Sequence, residues 1–246
     1  MNEIEITRLP LESLACVNSD CQDYGITGAE NLYIRKTYGK DKIRYLRCRT
    51  CQEEFSERKN TALWNTKIRE VKAVSIAEHL SEGNSIKGTS RLLRVDPDTV
   101  RRINKRAGQH AKRFHDEKVQ NVQARNLQAD ERHGFVKEKT RPSWEAELMD
   151  VESKFVLSHV QGVRDEALIR ELLQDSVPRL ASPQEIALFT DGDAKYASAF
   201  PEIFGKAYLP ARKGKQGRFP KPKYRIPHSL AHVQIIKHRQ GMRLNE

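Results

Sequence analysis

The stretch Ala187-Leu-Phe-Thr-Asp-Gly-Asp-Ala-Lys-Tyr-Ala-Ser-Ala-Phe200 decides how the second half of the chain is read. Ile186 to Phe189 is an apolar run short enough for one buried strand, and Asp191-Gly192-Asp193 ends it with turn-forming residues. Aspartate is common in turns because its side chain bonds nearby backbone groups. A carboxylate at a strand end is also well placed to hold a metal ion. Locally the first reading is the simpler one, so the choice rests on the elements before it.

Those elements repeat one theme. "NLQADERHGFVKE" (126–138), "SWEAELMDV" (143–151) and "KFVLSHVQG" (154–162) read as three strands, the last two joined as a hairpin at Glu152-Ser153. "RDEALIRELLQDSV" (164–177) is an amphipathic helix with Ala167, Leu168, Leu172 and Leu173 on one side. The strand ending at Asp191 follows, then a helix through Tyr196 and Phe200. Three strands, a helix and a strand ending in Asp is how the ribonuclease H-like fold begins. That fold carries one acid on its first strand and a second after its fourth, here Asp130 and Asp191. Alternation along a strand keeps Glu131 from sharing a face with Asp130. Transfer of a phosphoryl group between DNA strands needs divalent ions, Mg²⁺ or Mn²⁺, on hard oxygen ligands, so the two aspartates are candidate catalytic and magnesium-binding residues.

Working outward, the chain carries 44 Lys+Arg against 33 Asp+Glu, a net charge of +11, which points to a polyanionic partner such as DNA. No apolar run has the length of a membrane span, and "MNEIEITRLP" lacks the pattern of a signal peptide, so a cytoplasmic, nucleoid-associated protein is expected. All four cysteines lie in the first fifth of the chain: Cys16-x4-Cys21, 26 residues, then Cys48-x2-Cys51. Two such knuckles flanking a hairpin at Gly39–Lys42 predict a zinc ribbon over residues 10–58, with the metal supplying much of the folding energy. Two disulfides or free thiols are the alternative.

Residues 62–118 read as helices. Ile68, Val71, Val74, Ile76 and Leu80 recur at helical spacing, and Gly83 closes the helix. A short helix follows over 85–95, and Asp96-Pro97 then caps a basic one. This is a helix-turn-helix pattern, with Thr99, Arg101, Arg102, Lys105 and Arg106 as candidate DNA contacts; an ordinary bundle with a solvated basic face is the alternative. Gly205 to His228 holds eight Lys/Arg and no acid, and reads as a mobile surface loop suited to a phosphate backbone. Its candidate contacts are Arg212, Lys213, Lys215, Arg218, Lys221 and Lys223. A solvated linker is the bland reading of the same stretch. "LAHVQIIKHRQGMRLNE" closes the chain as a strand and turn.

In this order, "CVNSDCQDYG … RYLRCRTCQEEFS", the helical segment, "ADERHGFVKEK", "FTDGDAKYASAFP" and "RKGKQGRFPKPK" resemble transposases of the insertion-sequence-one type, over nearly the whole chain. The resemblance implies a multidomain α+β/α/β protein: zinc ribbon (10–58), helix-turn-helix (62–118) and ribonuclease H-like catalytic domain (124–246). It implies that Cys16, Cys21, Cys48 and Cys51 bind structural zinc, and that Asp130 and Asp191 are two members of an Asp-Asp-Glu set holding Mg²⁺. The expected partners are double-stranded DNA (terminal inverted repeats and target) and further copies of the chain when active. In the family the third acid sits on a helix beyond the strand beginning near Leu230. This sequence ends at Glu246 before such a helix, and neither Glu202 nor Glu246 fits, so an incomplete catalytic domain is expected. The alternative is a non-catalytic DNA-binding repressor of the intact element.

Overall fold

In the computed structural model the chain forms two compact units, residues 1–115 and 116–246, of mixed α and β structure. The structure describes residues 8–135, 140, 142–212, 219–236, 239–240 and 243–244.

The first unit begins with a three-stranded antiparallel sheet in the order β1 (Leu32–Tyr38), β2 (Ile43–Cys48), β3 (Glu54–Ser56). Its small core is Leu32, Leu46 and Phe55 packed around the cysteines, so the thiols occupy the centre that apolar side chains fill in a larger domain. Three helices follow: α1 (Glu70–Ser81), α2 (Ile86–Leu93) and α3 (Pro97–Lys118). Ser85 caps α2 through its Oγ, which accepts the Gly88 N–H at 3.0 Å, and Asp96 caps α3 by accepting from Asp98 and Thr99. Between α1 and α2 the chain turns at Gly83 with φ +79°, a conformation that disfavours a side chain. Ala73 and Ile76 of α1 meet Val100 and Ile103 of α3 in the helical core. Val74, read from spacing as part of that stripe, is 41% exposed; Ala73 takes the inward position instead, because the stripe runs 73, 76, 80.

The hairpin tip of the sheet is tied to the helices through Asp41. Its carboxylate accepts from Arg58 at 3.0 Å, from Arg69 at 3.0 Å and from the Glu70 backbone N–H at 3.0 Å, at the start of α1. Burial opposes the charge on Asp41, but these donors outweigh it and hold the carboxyl below its ordinary range.

The second unit is built on a five-stranded sheet ordered β10–β7–β4–β5–β6. β4 (Asn126–Phe135), β5 (Pro142–Asp150) and β6 (Val156–Gly162) are antiparallel neighbours, whereas β7 (Ala187–Thr190) and β10 (Ala231–Gln234) run parallel to β4. The end of the strand read through Glu138 lies outside the described residues. Leu127, Ala129, Ala146, Leu148 and Leu188 form one face of this sheet. They are covered by α4 (Glu166–Ser176) and α5 (Ala194–Phe204) through Leu168, Ile169, Leu172, Leu173, Tyr196 and Phe200. The opposite face presents Gln128, Asp130, Arg132, Val233 and Ile235 to solvent.

The basic segment after α5 departs from the loop expected of it. Its base is paired: β8 (Lys206–Tyr208) runs antiparallel to β9 (Lys223–Arg225), and Arg225 lies over the Tyr208 ring at 4.6 Å. Gly205 makes this possible, because a Cβ there would come within 2.3 Å of the Pro201 carbonyl. Alternating Tyr and basic residues in two short runs suit a narrow ribbon.

Candidate functional site

The four cysteines converge. Cys16 and Cys51 sulfurs are 3.6 Å apart and those of Cys21 and Cys48 3.9 Å, with all four within 4.8 Å of one another. A disulfide requires about 2.05 Å, so these thiols are free. A tetrahedron with Zn–S near 2.3 Å has edges of about 3.8 Å, so the set fits a metal such as zinc. The backbone contributes: Cys51 accepts a bond from the Glu53 N–H, which pulls its thiol down to about 7. Burial pushes Cys16 up to about 12. A metal ion would therefore displace protons from at least some of these sulfurs as it binds. Asn31 supports the cluster, donating to the Cys48 sulfur at 3.4 Å and to Asp23 at 3.0 Å.

On α3 the structure separates the candidate DNA contacts. Arg101, Arg102 and Lys105 are exposed, on the side opposite Val100 and Ile103. Arg101 pairs with Asp98, and Arg102 reaches Thr99 Oγ1 at 3.5 Å, so Thr99 holds a neighbouring guanidinium. Arg106 is turned to the Trp64 carbonyl and is partly committed within the unit. In the basic ribbon, Lys221 and Lys223 are exposed and Arg212 lies 4.5 Å over the ring of Phe219. Lys213, Lys215 and Arg218 lie outside the described residues.

Asp130 and Asp191 are brought together by sheet register. β4 pairs with β7 as Asn126↔Ala187, Leu127↔Leu188 and Gln128↔Phe189. Continuing that register sets Asp130 level with Asp191, and both share the face of Gln128 and Phe189. Together with Gln128, Phe189 and Ile235 they line an open cleft of about 290 Å³. The turn that carries Asp191 is pinned from behind. Thr190 Oγ1 donates to the Asp191 carbonyl at 2.9 Å, so the 3.0 Å contact between Thr190 and His232 Nε2 must be donated by the imidazole. Burial lowers the His232 pKa, which suits a neutral ring. Asp193 is the N-cap of α5, accepting the Lys195 N–H at 3.0 Å, so it keeps the turn role its position suggested.

One residue of this neighbourhood, Glu147, escaped sequence reasoning. Glu147 of β5 is the register partner of Asp130, on the same face, with His159 Nε2 3.9 Å beyond it. The adjacent row pairs Arg132 with Glu145, whereas this row sets acid against acid, with Arg132 also acting on Glu147 from the row beside it. Glu131 lies on the other face, its side chain 2% exposed, and it accepts a bond from Arg164 at 3.2 Å. Cross-strand register is the only signal for Glu147, and a sequence read without strand pairing does not contain it. Among the described residues, only the four cysteines form a group of three or more metal-ligating side chains close enough to share one ion. No helix of the described residues is long and apolar enough to cross a membrane. No protein-family model matches this sequence, and no curated protein matches it either.

Proposed function

We propose that this chain is a DNA-binding protein of the Asp-Asp-Glu transposase kind, in which Asp130 and Asp191 together hold a divalent cation against a DNA phosphate. The observation that carries the reading is the register of β4 and β7, which, continued by two residues, sets Asp130 in the middle of β4 level with Asp191 just past the end of β7, both lining an open cleft. The strand order, three antiparallel strands followed by two parallel ones with both helices on one face, supports a ribonuclease H-like unit. Hard oxygen donors in an exposed acidic row suit Mg²⁺ or Mn²⁺. Such an ion supplies Lewis-acid activation of the oxygens exchanged at phosphorus. The chain's own part is to align the two carboxylates and to draw the DNA backbone in. Arg101, Arg102 and Lys105 on α3 serve as the base- and phosphate-reading surface of a helix-turn-helix, and Lys221 and Lys223 of the ribbon add phosphate contacts. The cysteine cluster acts as a zinc ribbon that fixes the first unit.

A second reading is favoured because, among the described residues, no third ligating side chain lies close enough to Asp130 and Asp191 to share one ion with both. In it the chain binds DNA without cutting it, as a repressor would. One experiment separates the two: nicking of element-end DNA in Mg²⁺ or Mn²⁺, alongside DNA affinity. The first reading expects metal-dependent nicking that falls about a thousandfold in Asp130→Ala and Asp191→Ala, a loss of about 4 kcal/mol, with affinity retained. Affinity for DNA with no nicking under any divalent ion leaves the repressor reading. An absence of DNA affinity contradicts both.

A further inference from the structure

Directly behind the acid pair, on the helical face of the sheet, lies a set of charges that the proposed chemistry does not use. Glu131 is the residue after Asp130, so its side chain passes to the opposite face, where it is 2% exposed. Arg164, in the link between β6 and α4, donates to Glu131 at 3.2 Å and also lies 3.4 Å from Asp193. Asp193 in turn caps α5 two residues after Asp191 and is held by Lys195 at 2.7 Å. Burial works against the charge on Asp193, but Lys195 and Arg164 outweigh it and keep the carboxyl below its ordinary range. The guanidinium of Arg164 lies 4.5 Å over the ring of Trp144 on β5, which fixes its plane. Glu131 Oε1 and the hydroxyl of Tyr196, on the first turn of α5, are both buried without a hydrogen-bond partner, and burial together with the Glu131 charge pushes the Tyr196 hydroxyl pKa up.

A buried carboxylate costs stability unless it is paired, and an apolar residue would fill the space at lower cost. What this set does that an apolar one could not is link the two elements that carry the aspartates at a fixed spacing. We infer that Glu131 and Arg164 are positioning residues for the acid pair, the bridge Glu131–Arg164–Asp193 setting the height of Asp191 against Asp130. This rests on the reading of Asp130 and Asp191 as metal ligands. Arginine suits the role because its planar guanidinium lies over the Trp144 ring while its Nη2 meets both carboxylates, a stacking that a lysine ammonium does less well.

The test is Mn²⁺ affinity of the full, zinc-loaded chain, read by electron paramagnetic resonance, with thermal unfolding measured on the same samples. Glu131→Gln keeps the shape and removes the charge; Arg164→Ala removes the bridge, and Arg164→Lys keeps the charge without the fork. Outer-shell partners of metal ligands typically contribute tenfold or more to affinity. The expectation is that Glu131→Gln and Arg164→Ala weaken Mn²⁺ binding about tenfold, with Arg164→Lys intermediate. If they bind Mn²⁺ as the parent does, whatever their thermal stability, the role is structural only and the inference is overturned while the acid pair stands. If Asp191→Asn binds Mn²⁺ as tightly as the parent, the acid pair itself falls, and the inference with it.

Discussion

The two units place acidic and thiol ligands in opposite ways. In the first, four sulfurs from two short knuckles close on one point in the centre of the fold, within 4.8 Å of one another. In the second, two carboxylates, one on β4 and one just past β7 far along the sequence, line a cleft on the open, helix-free face of the sheet. A closed set leaves a metal no free position and makes it part of the fold. An open set leaves room for a substrate oxygen and makes the metal part of the chemistry. On the proposed reading the chain carries one site whose loss unfolds residues 10–58 and another whose loss should leave the fold intact.

The largest effect that could break this contrast is metal removal. Stripping zinc with a chelator, or Cys48→Ser, should abolish the folded state of residues 10–58, since structural zinc contributes on the order of 10 kcal/mol in small domains. Calorimetry should then show one transition lost and that of the second unit retained. Loss of both, or of neither, would erase the contrast. A smaller disturbance of the second unit works in reverse. Leu172 is fully buried between α4 and the sheet, and Leu172→Ala should cost about 3–4 kcal/mol there while leaving zinc content unchanged.

Next is the joint inside the first unit. Asp41 is held below its ordinary pKa by its donors, despite burial. A depressed folded pKa means that its contribution is complete above the unfolded carboxyl value, about 4, and is lost as pH falls from there through the folded value. Asp41→Asn should cost about 2 kcal/mol at neutral pH and flatten the acid limb of the unfolding curve below about pH 4. An acid limb identical to the parent's would show that Asp41 contributes nothing. The smallest effect concerns DNA: Arg101→Ala or Lys105→Ala should each reduce the slope of log affinity against log salt by about one. Arg106→Ala should change it less, because Arg106 also serves the Trp64 carbonyl.

These differences also explain what was legible in the sequence. The cysteine cluster was readable because its ligands sit in two local knuckles, and Cys-x-x-Cys geometry needs no tertiary information. The Asp96 cap was readable for the same reason. Strand identity and the face of Asp130 followed from alternation, and Asp191 from the turn chemistry of Asp-Gly-Asp. Pairing was not legible. Glu147 opposite Asp130, Arg164 bridging to Asp193, and the β8–β9 ribbon inside an apparent loop all depend on which residue meets which across space. Val74 failed for a finer reason, since a one-residue rotation of a helix moves its stripe by about 100°.

The most direct test of the central claim is anomalous scattering from crystals of the full chain soaked in Mn²⁺. The account predicts a manganese peak shared by the carboxylates of Asp130 and Asp191, absent in Asp191→Asn, with zinc separately at the four sulfurs. Crystals that show zinc at Cys16, Cys21, Cys48 and Cys51 but no manganese between Asp130 and Asp191 would contradict it.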